Sequence, residues 1–591
     1  MDLVFTDNLD SLAQRFSPME HIVVLPSKDC CKYADPLNFK VVYFNEYFDY
    51  SNFVFEESYS LIEGHFNKVQ HINNFSDFIF SIKPEMLLFG ISDYLQYKTA
   101  VRKILDQFNP KNIFCFKMSS FGKTKANFHF NLVKVILYDE AFKRGIIKRS
   151  KILFFIQSFM VFFYYYIGGI IQSVSQSFTI KERYQHLEGK SNSALIFSHG
   201  LPHSIIARSL IESIQSSFLF TPILIEKNYH LKDFVIKNHF FSEEQEKIPF
   251  YNLPKFLLYS FKLFQSIISL HLSKHQKDKL LNYFITLFCI KYIKRYLTYY
   301  FHYQITFDKI KPVIMVNFED RSMYHRLSYI FANKYDIPSI LVQCGLYGDH
   351  PLYRYEFPCS KFCVEGMKIK EIFIKMGVPE FKIQVTGQPK YEFLKRNSQI
   401  QNLEFKDFSS RFVILFCSTN FEENVESNTN IEFVKRELEL LLCKLEGQSK
   451  YYLIIKPHYA QRLEWFKGVL AGFSSSINFH LLLPNENVYN FIPKANLVIT
   501  RFSTIGIEVL STGNLLMILT EKHNSRNIYT EYGVAGIIDF ETDIDEQINH
   551  YIIFSKTRKY RSSVSKFLLD YANGIDGNAC KNILDTMKEI S

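Results

Sequence analysis

At 591 residues the chain is too long for one hydrophobic core, so two or more large domains are expected. Its composition is globular, 47% hydrophobic and 22% charged without Pro-rich, Gly-rich or repetitive tracts, and a formal charge of +10 is too dilute for a dedicated nucleic-acid binder while suiting an anionic substrate or an acidic membrane surface. The ten cysteines form no CxxC or Cys/His ligand spacing, and the opening MDLVFTDNLDSLAQRF has neither a basic nor an apolar leader region, so no metal site and no signal peptide are expected, and free thiols in a reducing cytoplasm are.

In chain order, short apolar runs predict strands at 21–25, 39–44, 86–90, 112–117, 194–198, 221–225, 312–317, 338–343, 360–364 and 382–386. Helical patterns lie between them at 202–216, 254–272, 276–303 and 321–335. Residues 152–171, ILFFIQSFMVFFYYYIGGII, carry no charge, and Lys143, Arg144, Lys148, Arg149 and Lys151 stand just before them. That length would span a bilayer or lie on its inner face, or it would form a buried helix. In 276–303, Lys291, Lys294 and Arg295 would face anionic lipid if the helix lay at a surface; the alternative is a core helix. A polar linker at 396–409 precedes a second alternation: strand 411–417, helix 431–445, strand 450–455, helix 460–470, strands 478–483 and 496–500, helix 503–512 and strand 514–519.

The pattern predicts an α/β protein of two Rossmann-like, doubly wound domains facing across a cleft, with extra helices in the N-terminal half. The expected divisions are 1–395, with helical parts near 140–180 and 250–305, then 405–575, then a terminal helix at 576–591. Ligands of open parallel sheets bind at the carboxyl ends of the strands, so strand-end residues are the candidates. In the second domain these are Ser418, Thr419 and Asn420; Lys456 and His458 in KPH; and Arg501, Ser503, Thr504 and Glu508 in RFSTIGIE. Hydroxyls and N–H groups at a helix start with nearby cations suit a phosphate, and Glu508 would reach a ribose diol. In the first domain the strand ends offer Glu319, Asp320, His199, Asp349 and His350. Taken singly, each of these is commonly a turn, a cap or a solvated side chain.

The strand-KPH segment, followed about 45 residues later by ANLVITRFSTIGIE, resembles the C-terminal domain of GT-B glycosyltransferases. It is most similar to the Kdo transferase, bacterial sialyltransferase and CDP-glycerol glycerophosphotransferase group. Residues 316–349 and VTGQPKYEFL (382–394 with flanks) resemble that group's strand-helix-strand block and domain crossover. The resemblance implies that Lys456, His458, Ser503 and Thr504 grip the donor phosphate, with Gly387 and Gln388 on the donor side and Gln343 and Gly345 on the acceptor side. Two positions depart from the pattern: Tyr459 replaces a proline, and Cys344 replaces the histidine taken as general base. The role of base then falls to Glu319, Asp320, His199 or His350.

The function expected is a metal-independent glycosyltransferase without cofactor. It would move a sugar from a nucleotide donor, CMP-linked and Kdo- or sialic-acid-like, to a surface polysaccharide or lipid-linked glycan at the inner face of the cytoplasmic membrane. A CDP-glycerol-type transferase, a sugar-nucleotide 2-epimerase and a non-catalytic scaffold of capsule assembly are the alternatives.

Overall fold

A computed structural model of the chain describes residues 2–5, 20–25, 40–47, 75–86, 91–115, 132–144, 146, 192–198, 201–226, 241–242, 253–272, 279–320, 322–345, 358–392, 411–419, 431–458, 461, 463–473, 477–484, 486–501, 503–519, 528–539 and 541–591. The first elements are β1 (Asp2–Phe5), β2 (His21–Leu25), β3 (Lys40–Tyr43), α1 (Phe75–Met86), α2 (Ser92–Phe108), β4 (Ile113–Cys115) and α3 (Leu132–Lys143). Their strands pair in parallel in the order β3-β2-β1-β4, a small sheet in addition to the two larger ones. Residues 2–5, too short an apolar run to mark a strand in sequence, supply one of its central strands. Residue 86 is a correction to the strand expected over 86–90. Met86 ends α1, because Phe78, Ile79, Ile82 and Met86 recur at helical spacing and are all buried; 87–90 lie outside the described residues.

The second sheet uses β5 (Ser193–Ser198), α4 (Leu201–Ser217), β6 (Thr221–Glu226), β7 (Phe241–Ser242), α5 (Leu253–Leu272), α6 (Lys279–Ile310), β8 (Ile314–Asn317), α7 (Met323–Lys334), β9 (Ser339–Val342), β10 (Lys361–Val364), α8 (Met367–Lys375) and β11 (Ile383–Val385). Its order is β11-β10-β9-β8-β5-β6-β7, all parallel. From β5 the chain winds one way through β6; from β8 it winds the other way. The switch point therefore falls between β5 and β8. Every residue of β5, β8 and β9 is buried, as strands covered on both faces require, and this is why they read as unbroken apolar runs.

The third sheet uses β12 (Phe412–Cys417), α9 (Ile431–Leu445), β13 (Tyr451–Lys456), α10 (Leu463–Leu470), β14 (Phe479–Leu481), β15 (Leu497–Thr500), α11 (Ile505–Ser511), β16 (Leu515–Leu519), α12 (Ile528–Glu531) and β17 (Gly536–Ile538). The order β14-β13-β12-β15-β16-β17 is again wholly parallel, with its switch point between β12 and β15. The chain closes with α13 (Ile544–Ser555), α14 (Arg558–Ala572) and α15 (Ala579–Ile590). The last of these returns to the second sheet, where Ile583, Leu584 and Met587 join Ala194, Ile206 and Val316 in one buried cluster.

Helix α6 is a core helix: Phe288, Tyr292, Tyr296, Tyr299, Tyr303 and Phe307 are buried along it, and the Arg295 guanidinium lies 5.8 Å above the Tyr299 ring. The side chains of Lys291 and Lys294 are outside the described set. Arg326 of α7 is 1% exposed, donates to the Phe80 carbonyl at 3.1 Å and lies over the Phe80 ring, so α1 fastens the first sheet to the second. No described helix is long and apolar enough to cross a membrane, and 152–171 lies outside the described residues. Eight cysteines among the described residues are free thiols.

The second and third sheets meet through a buried ion pair. Lys390, just past β11, places its Nζ 2.8 Å from Glu508 Oε1 on α11, and each side chain is only 5% exposed. The Tyr489 hydroxyl also hydrogen-bonds Glu508. Although burial alone would lower it, the Lys390 pKa is raised, with Glu508 the first of the opposing causes. Removing one partner of such a pair strands a charge in the interior. Lys390→Met is therefore expected to cost about 3–5 kcal/mol in urea unfolding, and the double variant Lys390→Met with Glu508→Leu to cost less than the single. Equal losses in the two would show the pair to be of no consequence.

Candidate functional site

The third sheet's strand ends form the first half of the site. Beyond β12, Ser418 and Thr419 lie beside the end of β13, where Ser418 N donates to Lys456 O at 3.0 Å. Lys456 is 9% exposed, and its ammonium donates to the carbonyls of Pro457 (2.6 Å) and Pro484 (2.8 Å), using two of its three N–H groups. Burial lowers its pKa. Gln461, absent from the candidates above, fastens the two strand ends together. Its Oε1 accepts from His458 N at 2.7 Å, while its Nε2 donates to Ser418 Oγ at 3.1 Å and Thr419 O at 2.7 Å. A glutamine three residues past a KPH turn carries no visible signal of that role.

His458 differs from one expectation. Burial, and then the Lys456 charge, push its pKa down to about 4, so near neutrality it is an uncharged imidazole. It offers a hydrogen bond, not a positive charge.

Past β15, Arg501 Nε lies 3.7 Å from Glu437 Oε1 on α9. Helix α11 begins one residue later than a Ser503 cap would have it. Thr504 takes the cap position with a helical backbone and no side-chain cap bond, while Ser503 Oγ accepts from Ile505 N at 3.4 Å. The turn is held from behind: the Tyr529 hydroxyl donates to Ser503 O at 2.5 Å, and a Cβ on Gly506 would lie 2.4 Å from Tyr529 Cζ, so only glycine lets that ring in. Glu508 is committed to Lys390 and is 4% exposed; its carboxylate braces the two sheets.

The second sheet's strand ends face the same region. Gln343 is fully buried, donating to Gly345 O at 2.7 Å and accepting from Glu365 N at 2.9 Å. Gly387 has φ +79, and that turn sends Gln388 back to donate to Gln343 O (2.5 Å) and Glu365 Oε1 (3.2 Å). The Tyr391 hydroxyl donates to Glu365 Oε2 at 2.8 Å. Burial pushes the Glu365 carboxyl up, opposed first by Lys390. Gln343 and Gln388 thus spend their amides inside the protein. The Cys344 thiol is pushed up to about 12 by burial, with Lys390 opposing and Glu365, Glu319 and Glu508 adding to the rise, so it stays protonated. Those three carboxylates belong to both sheets, which places Cys344 at their junction.

Next to the second sheet's switch point, Asp320 is wholly buried, whereas the Glu319 side chain is 26% exposed. Glu319 Oε2 lies 3.6 Å from Nε2 of His325, a fully buried residue in the first turn of α7. His203, near the start of α4 beyond β5, stacks edge-on to His325 with ring centroids 5.9 Å apart. Neither His203 nor His325 was singled out from the sequence, because each stands inside a helical pattern where a histidine is unremarked. His199, His350, Asp349, Asn420 and Tyr459 lie outside the described residues.

No family model matches the chain, and no curated protein matches it. Among solved structures it is similar to UDP-GlcNAc 2-epimerase from Neisseria meningitidis bound to UDP-GlcNAc, at 16% identity and TM-score 0.43 over 67% of this chain and 100% of that one. It is also similar to a glycosyltransferase from Rickettsia africae, at 12% identity and TM-score 0.41 over 68% and 99%. The wall teichoic acid polymerase TagF is similar at 13% identity and TM-score 0.40 over 68% and 90%. Each TM-score is below 0.5, so the fold is assigned on the strand order and register above.

The depressed His458 pKa has a consequence for stability. The unfolded chain takes up this proton near pH 6.5 and the folded protein only near pH 4, so the contribution is complete above 6.5 and is lost as pH falls toward 4. Between pH 7 and 4.5 the wild type should lose about 2.5 kcal/mol relative to His458→Gln, at about 1.4 kcal/mol per pKa unit. Parallel urea titrations of both proteins at the two pH values check this; identical losses would mean His458 is not buried as described.

Proposed function

We infer that the protein is a nucleotide-sugar-dependent glycosyltransferase whose donor nucleotide lies at the carboxyl ends of β12, β13 and β15. The observation that carries this reading is the convergence of Lys456, His458, Ser418 and Arg501 around the third sheet's switch point, alongside a second switch point bearing Glu319 and His325. Two doubly wound sheets joined at a buried pair offer one ligand to each switch point, and transfer needs two. Lys456 and the neutral His458 would donate hydrogen bonds to the leaving phosphate as its charge develops. Glu319 is the favoured base for the acceptor hydroxyl, being the accessible member of the Glu319–Asp320 pair, while Cys344 as a neutral thiol is unsuited to it.

The donor is proposed to be CMP-linked, of Kdo or sialic-acid type, with a CDP-linked group next. This rests on the KPH and RFSTIGIE segments. The acceptor is proposed to be a surface polysaccharide or lipid-linked glycan at the inner face of the cytoplasmic membrane, a placement supported by the uncharged 152–171 stretch and the basic residues before it. One observation favours a second reading, a sugar-nucleotide 2-epimerase: the His203, Glu319 and His325 group supplies the cleft acid and base residues that such chemistry uses.

Thermal shift with CMP, CDP, UDP and GDP separates these. A cytidine nucleotide should raise the melting temperature, and His458→Ala should weaken its binding about tenfold or more, the loss of one or two hydrogen bonds to a charged phosphate. Stabilisation by UDP alone would transfer the reading to the epimerase; stabilisation by no nucleotide would overturn both.

A further inference from the structure

The side-chain atoms at the second sheet's switch point fit a metal ion. Among the described residues, one ligand atom each from His203, Glu319 and His325 lies within 4.8 Å of the others. His203 and Glu319 are partly exposed and His325 is sealed from solvent. They come from the start of α4, the end of β8 and the first turn of α7, so they meet only because β5 and β8 are neighbours in the sheet.

The orientation of His325 can be read from its hydrogen bonds. The Ser328 hydroxyl donates to His325 O at 2.7 Å, so its oxygen is left to accept, and Asn317 Nδ2 donates to it at 2.8 Å. That fixes the Asn317 amide with Oδ1 turned to His325 Nδ1, 2.9 Å away. A carbonyl oxygen can only accept, so Nδ1 carries the hydrogen. In the neutral ring, Nε2 is then a lone pair, and it points to Glu319 Oε2 at 3.6 Å. This distance is too long for a hydrogen bond. A lone pair and a carboxylate oxygen facing each other at this distance repel unless a proton on Nε2 or a metal ion beside it supplies the positive charge, and the third ligand atom, from His203, favours the metal. Two ligand atoms on a tetrahedral ion with bonds of about 2.0–2.1 Å stand about 3.3 Å apart, near the 3.6 Å of this pair, and all three ligand atoms lie within 4.8 Å of one another. An imidazole whose far nitrogen donates to a fixed acceptor is also the usual second contact of a metal-bound histidine.

We propose that His203, Glu319 and His325 bind one divalent transition-metal ion, zinc or a neighbour in its series, with a coordination position left open. Two imidazoles and one carboxylate select such an ion over Mg²⁺ or Ca²⁺, which take oxygen ligands. The geometry is self-standing and does not depend on the nucleotide reading. It does revise two expectations: that the protein works without metal, and that Glu319 is the base, since a metal-bound carboxylate is not free to take the acceptor's proton. An open position beside the carboxyl ends of β5 and β8 would take an oxygen of the bound acceptor or a water.

The test uses the full chain, stripped with EDTA and dialysed. Calorimetric titration with Zn²⁺, and visible absorption on adding Co²⁺, should each report one equivalent bound, with Co²⁺ showing the intense d–d bands of a low-coordinate site. His203→Asn and Glu319→Gln, both at partly exposed positions and so expected to fold, should each weaken binding at least tenfold without lowering the melting temperature in EDTA. Mg²⁺ should not compete. Binding that survives both substitutions, or that is absent from the wild type, overturns the proposal. Nucleotide-induced stabilisation measured in EDTA reads the other half of the protein separately.

Discussion

The ion pair between Lys390 and Glu508 is the constraint on which the arrangement of the site depends. One buried apolar cluster runs from Phe197 and Leu341 of the second sheet through Tyr391 to Leu415 and Val498 of the third, but apolar contact is non-directional and does not by itself set how the two sets of strand ends meet. A charged pair 5% exposed on each side does set it, because the desolvated charges tolerate little separation. Around that pair the hydrogen bonds continue into both sheets. Tyr489 reaches Glu508 from one side. Glu365, Gln388, Tyr391 and Gln343 form a hydrogen-bonded network on the other. Residues resembling a donor-binding signature at the domain crossover are thus spent on holding the crossover in place.

The two switch points differ in chemical character. That of the third sheet is lined by hydroxyls, a buried lysine, an uncharged histidine and an arginine, a set rich in hydrogen-bond donors. That of the second is lined by two histidines and a carboxylate, with Asp320 buried nearby. In the proposed transfer, the donors on one side would receive the departing charge and the acceptors on the other would draw a proton or hold a cation. Cys344 sits at the junction and belongs to neither set, since burial keeps its sulfur protonated.

Most of the fold was legible because parallel strands buried on both faces cannot avoid being apolar runs. The strand at 21–25 was read to its end residues, and those at 194–198 and 411–417 to within one. The KPH and RFST segments were legible as strand ends for the same reason: a run stops where its chain leaves the core. The first sheet was less so. Its β1 is four residues at the chain start, and Met86 continues a helical pattern into what reads as an apolar run. Gln461, His203 and His325 were invisible because nothing near them in sequence marks their role; their partners are Ser418, Glu319 and each other.

By itself, then, the amino-acid order determined the alternation of strands and helices, the parallel sheets that follow from it, and which residues stand at strand ends, since each of these depends on burial periodicity within about twenty residues. Tertiary structure alone decided which strand ends are neighbours. It joined Lys390 to Glu508 across 118 positions, gathered His203 with Glu319 and His325, and emptied His458 of its charge. Those outcomes depend on distance and desolvation in three dimensions, and neither quantity is written along the chain.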